Sequence, residues 1–125
     1  MIRMLFCLRR LPALSLDEFQ RYWRDTHAPL VARHAPVIGL ALYRQHHRLD
    51  DALLGGLLKG RLTDEPFDGV AELGWHSEAD LLGGGGDPAV RAANRELYAD
   101  EQRFIDLSRS PIFFARTHAV VGADD

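Results

Sequence analysis

Four stretches of the chain space apolar residues as extended backbone does, and two longer ones repeat them at helical spacing. Residues 2–9 carry Ile2, Met4, Phe6 and Leu8 on one face, and Leu5 and Cys7 between arginines on the other. A strand apolar on both faces is one covered on both sides. Ser15 followed by Glu18 is a capping box, after which Leu16, Phe19, Trp23 and Leu30 share one helical stripe, with His34 beside them. Pro29 lacks an N–H and crowds the carbonyl of Asp25, which predicts a kink or early end near residues 26–30; Pro36 is a second stop. Residues 39–47 and 69–75 read as the second and third strands, with Glu72 in the middle of the third. Ser77 and Asp80 mark a brief capped turn, cut off by Gly83 to Gly86. Asp87 then caps a second long helix with Pro88 at its first position, the stripe running through Val90, Ala93, Leu97, Phe104 and Ile105. Residues 112–121 make the fourth strand. Between 50 and 68, four leucines alternate with glycines at 55, 56 and 60, which leaves a short helical turn, a flap and a dimer contact all open.

The order strand, helix, strand, strand, helix, strand is the ferredoxin-like split βαβ arrangement, an α+β fold on an antiparallel four-stranded sheet. No linker divides residues 1–125, so one domain is expected. Two helices cover one face of such a sheet. The apolar residues on the other face make a second subunit its natural cover, and a homodimer is expected.

Composition narrows the class further. With 46% hydrophobic and 26% charged residues, the chain can build a core, and disorder is not the default. A net charge of −3 without a Lys or Arg cluster leaves no footprint for nucleic acid or an anionic membrane. The apolar start is short and interrupted by Arg3 and Arg9, so it does not read as a signal peptide, and no window reaches a membrane span. A lone cysteine, Cys7, has no internal disulfide partner, which points to a reducing cytoplasm.

His27 is the leading candidate for chemistry, at the edge of the first helical stripe, one turn after Trp23. A half-buried imidazole suits general acid–base work; the plainer alternative is a histidine satisfying carbonyls freed by Pro29. Glu72 sits mid-strand in the sheet, where a buried carboxylate needs a partner or a raised pKa; Arg44, His46 and His118 are the cationic candidates. Its functional and salt-bridge readings both stand. Tyr22, Trp23, Tyr43 and Trp75 either line an aromatic pocket or fill the core. His46 and His47 are adjacent in a strand and point to opposite faces, and no paired cysteines or His-Glu-x-x-His appear, so no metal site is expected. The four glycines lack the Lys and Ser or Thr of a phosphate loop, and Cys7 has no activating base nearby.

The run Phe19-Gln-Arg-Tyr22-Trp23-Arg-Asp-Thr-His27-Ala-Pro29-Leu30-Val31 resembles the signature helix of EthD-domain proteins. Asp68-Gly69-Val70-Ala71-Glu72-Leu73 is similar to that family's third strand, and Asp100-Glu101-Gln-Arg-Phe104-Ile105-Asp106 to the end of its second helix, in the same order. The resemblance implies a dimeric α/β barrel with a ligand cavity between each sheet and its own helices. It also implies, without a cofactor, activity on small aromatic or oxygenated organics, polyketide-like or xenobiotic. Dehydration, decarboxylation or enolisation would use His27 and Glu72, with Trp23, Tyr22, Tyr43, His46 and His118 around the substrate. A cofactor-free monooxygenase and a non-catalytic binding or accessory protein are the alternatives. The segments 50–67 and 83–86 depart from the family pattern at the expected pocket mouth.

Overall fold

The computed structural model describes residues 1–61, 65–84 and 86–122; part of the 50–67 segment and Gly85 of the glycine run lie outside them. Strands β1 (Ile2–Leu8), β2 (Leu42–His47), β3 (Gly69–Trp75) and β4 (Ile112–Arg116) form one antiparallel sheet in the order β2-β3-β1-β4. That order, with helices in both crossovers, is the ferredoxin-like fold.

Helix α1 (Leu16–Tyr22) starts at the capping box: Glu18 N–H donates to Ser15 Oγ, and Ser15 N–H to Glu18 Oε1. The expected break at Pro29 takes another form. The backbone widens into a π turn over Trp23–His27, and α2 (Ala28–His34) continues without ending. One extra residue in the turn gives Pro29 the room that a missing N–H and a bulky ring require. Asp50 caps the short α3 (Asp51–Leu57), Ser77 caps α4 (Glu78–Leu82), and Asp87 caps α5 (Pro88–Glu101) with Pro88 at its first position. Arg33 and His34 at the end of α2 both reach Glu96 on α5, tying the two long helical elements together.

Three further expectations shift. α5 ends at Glu101, so Phe104 and Ile105 belong to the turn that follows; both stay buried, closing the base of the core. β4 stops at Arg116 because that residue already pairs with Ile2, where β1 begins. β2 likewise starts at Leu42, after a turn in which Gly39 takes φ +67, a conformation glycine supplies without strain.

The core lies between the sheet and the helices, where Phe6, Leu8, Phe19, Trp23, Ala71, Phe104 and Ile105 form one cluster. Trp23 lies flat enough on β3 that a Cβ at Gly69 would meet its ring at 2.5 Å. The opposite face of the sheet carries Arg3, Leu5 and Cys7 of β1, with Glu72 paired across from Leu5 and from Arg44, and Phe113 on the far side of Leu5. Phe113 is 52% exposed there. No described helix is long and apolar enough to cross a membrane.

Candidate functional site

The π turn sets the site. Ala28 N–H bonds back five residues to Trp23 O, and Gln45 Nε2 on β2 donates to the same carbonyl at 2.9 Å. Held this way, the turn buries both Trp23 and His27. The His27 ring packs against Phe104, centroids 4.9 Å apart, and its Nδ1 lies 2.7 Å from Asp100 Oδ2 on α5. The other carboxylate oxygen accepts from Tyr22 Oη at 2.6 Å and from Arg103 at 3.3 Å. Asp100 is 5% exposed, yet each of its oxygens has a donor.

Those contacts fix the protons. Burial alone would push the Asp100 carboxyl up, but the bonds from Tyr22 and His27 and the charge of Arg103 bring it below the usual range. Burial pushes His27 down, and Asp100 only partly opposes this. Near neutral pH the pair is therefore a carboxylate and a neutral imidazole, with the Nδ1 proton donated to Asp100. The lone pair is left on Nε2, which has no hydrogen-bond partner among the described residues.

His27 lines a small, mostly apolar inner cavity of about 50 Å³, together with Trp23, Tyr43, Phe6, Met4 and Glu101. Space of that size takes a functional group or a few waters, not a whole aromatic molecule. A larger cleft of about 540 Å³ opens beside it, reaching to Trp75, Phe114, the turn at 36–39, and Gly83, Gly84 and Asp87. Met4, Leu73, Leu97 and Glu101 line both spaces. Glu101 has no hydrogen-bond or ion-pair partner for its carboxylate among the described residues. Burial, and then the charge of neighbouring Asp100, push its pKa up to about 7. Tyr43 also has its pKa raised by burial, and its hydroxyl accepts from Gln45 Nε2 at 2.9 Å.

The residues singled out from the sequence separate into three groups. His27, Trp23 and Tyr43 meet at the inner cavity, and Tyr22 stands behind them on Asp100. Glu72 is on the other face of the sheet, its carboxylate 2.8 Å from Arg3 and 2.9 Å from His46. Strand alternation requires this, because Ala71 and Leu73 on either side of it line the cavity. His118 is exposed past the end of β4. Among the described residues, no group of three His, Cys, Asp or Glu is placed to hold a metal ion.

Asp100 and Glu101 entered the sequence reading only as part of a family-like run and not as site residues, though their position announces them. The α5 stripe of Ala93 and Leu97 continues by three and four residues onto these two acids, so carboxylates occupy core-facing positions at the helix end.

Several solved structures share the fold. An EthD family protein from Bacillus halodurans C-125 superposes with a TM-score of 0.59 at 17% identity, covering 94% of this chain and 100% of its own. HapK from Hahella chejuensis gives 0.59 at 10% identity, with all of both chains covered. A hydroxynitrile lyase from Passiflora edulis gives 0.58 at 15% identity, over 97% of this chain and 96% of that one. No curated protein sequence matches. The family model of the EthD domain does match, over residues 11–108. That span holds the π turn, both long helices and every residue of the His27–Asp100 pair's surroundings except β1, and on it the chain belongs to the EthD-domain family.

Proposed function

We propose that this protein is a cofactor-independent enzyme acting on a small aromatic or oxygenated organic molecule by histidine acid–base chemistry. The observation that carries this reading is the buried His27–Asp100 pair on a cavity wall, with Nε2 left for a ligand. In the reaction, Nε2 takes a proton from an O–H or activated C–H of the substrate. The Nδ1–H···Asp100 bond then stabilises the imidazolium, and the proton is returned to the product or the leaving group. Such a step is worth about 10²–10⁴-fold and serves dehydration, decarboxylation or enolisation alike. Membership of the EthD family and a structural relative named as a hydroxynitrile lyase support a small-molecule role. In this reading Glu72 belongs, with Arg3 and His46, to the ion pair of the open sheet face rather than to the chemistry.

The working form is a homodimer of single-domain chains in the cytoplasm, the open faces of the two sheets packed together. Exposed Phe113 on that face supports the dimer, and the lone Cys7 supports the reducing compartment.

The test begins with a thermal-shift screen of small aromatics, lactones and polyketide-like phenols, followed by turnover assays of every stabilising compound. His27→Gln is the informative variant, since its amide still donates to Asp100 and keeps the fold. Turnover should fall about 10²–10⁴-fold while binding remains. Bound compounds that are never turned over, by wild type or variant, would instead make this a ligand-carrying accessory protein.

A further inference from the structure

The inner cavity is too small for an aromatic molecule, and the outer cleft is large enough for one but lacks the histidine. A ligand that reaches Nε2 must therefore lie across both, its body outside and one functional group inside. Four residues form the passage between them, and three are apolar. The fourth, Glu101, presents an unpaired carboxyl to whatever passes.

Charge restricts that passage further. The outer cleft is lined by Asp80, Asp87 and Glu101, and no Lys, Arg or His of the described residues lines it. In the inner cavity the titratable groups are His27, Tyr43 and Glu101, with Asp100 directly behind His27. The strands facing Glu101 supply only Met4, Leu73, Trp75 and Phe114 besides Tyr43. A carboxylate ligand would meet the acids of the outer cleft and find no Lys or Arg lining either space to compensate its desolvation.

We propose that the substrate is an uncharged carbonyl compound with a flat apolar body in the outer cleft, its carbonyl oxygen accepting a hydrogen bond from the Glu101 carboxyl. Glu101 and His27 then act as acid and base on one group. Nε2 removes the hydrogen α to the carbonyl, the C–H pair becomes the C=C bond, and the oxygen takes the Glu101 proton to give the enol. In dehydration the enol O–H proton returns to Glu101 as the carbonyl re-forms, the electron pair shifts to make the Cα=Cβ bond, and the β-hydroxyl takes the imidazolium proton and leaves as water. The proposal rests on His27 as base and turns that reading away from decarboxylation, whose substrates bring a carboxylate.

Two nearly isosteric probes test it: 2-acetonaphthone and 2-naphthoate, titrated calorimetrically against wild type and Glu101→Gln between pH 6 and 8.5. Wild type should bind the ketone at pH 6 and lose about tenfold in affinity by pH 8.5, as the donor ionises around pH 7. Naphthoate should bind far more weakly throughout. Glu101→Gln, with a permanent amide donor, should bind the ketone with no pH dependence and gain affinity for naphthoate. Equal binding of the two probes by wild type at pH 8.5, an unchanged pH dependence in Glu101→Gln, or no ketone binding at all would each overturn the proposal. Failure of the histidine reading looks different. Ketone binding would follow Glu101 as described, while His27→Gln left the exchange of its α-hydrogens with deuterated solvent undiminished.

Discussion

Two adjacent carboxylates at the end of α5 have opposite surroundings and are therefore shifted in opposite directions. Asp100 is surrounded by donors from Tyr22, His27 and Arg103 and stays ionised, whereas Glu101 is half-buried beside that charge with no partner among the described residues. The second arrangement costs stability at high pH, and the sign follows from linkage. The folded chain holds the Glu101 proton up to about pH 7, while the unfolded chain releases it near the ordinary value of 4.5. Between those limits the native state binds more protons, so stability falls as pH rises and the full penalty is present above 7. Glu101→Gln removes the charge and should stabilise the fold at pH 8 by roughly 1–3 kcal/mol, with the gain vanishing below pH 4.5. Urea titrations of both proteins at pH 4.5 and 8 measure it; an equal difference at the two pH values would sink the claim. Of this pair nothing was read from the sequence as chemistry. A stripe that passes from Leu97 onto two acids was legible, but two of the three donors that separate them, Tyr22 and His27, come from α1 and the π turn, which no helical wheel of α5 contains.

At the level of elements, the sequence was most legible where local chemistry decides the backbone. The Ser15–Glu18 box, the Asp87–Pro88 start and the Ser77 cap are formed by neighbours in the chain, and each sits where the pattern puts it. Ends set by a partner strand were not: β4 stops when β1 runs out, which only the register reveals. The π turn is intermediate. Pro29 announces a disturbance, but whether the helix breaks or widens depends on Gln45 from β2 bonding to Trp23 O and on Trp23 seating against β3. Gly69 is what permits that seating. A methyl there would overlap the Trp23 ring on one side and the His46 carbonyl, 2.8 Å away, on the other. Gly69→Ala should therefore cost roughly 1–3 kcal/mol by overpacking. It should also loosen the turn that carries His27. A lowered melting temperature with a shifted tryptophan emission is the expected result, and an unchanged melting curve would show that β3 yields more readily than its central position suggests.

For the whole molecule, the fold class followed from the order of elements, whereas the site required knowing which face of the sheet each strand residue takes. Glu72 and His27 both looked chemical in the sequence, yet the sheet lies between them. The face that holds Glu72 combines a closed ion pair with apolar Leu5 and Phe113, and this is how a charged residue enters an interface without a bare charge. The proposed homodimer uses that face, so its two barrel halves would meet along Glu72 while each His27 cavity stays within its own chain. The separation makes assembly and ligand binding independently breakable. Phe113→Glu places a carboxylate on the exposed edge strand of that face and touches neither cavity, since Phe114, not Phe113, lines the outer cleft. In sedimentation at micromolar concentration, wild type should run at twice the 14.0 kDa chain mass and Phe113→Glu at the chain mass. The variant should still bind 2-acetonaphthone. A wild type sedimenting as a single chain would remove the dimer from the account. If the monomeric variant instead lost its ligand, the cavity would depend on the partner, and the two faces of the sheet would have to be treated as one functional unit.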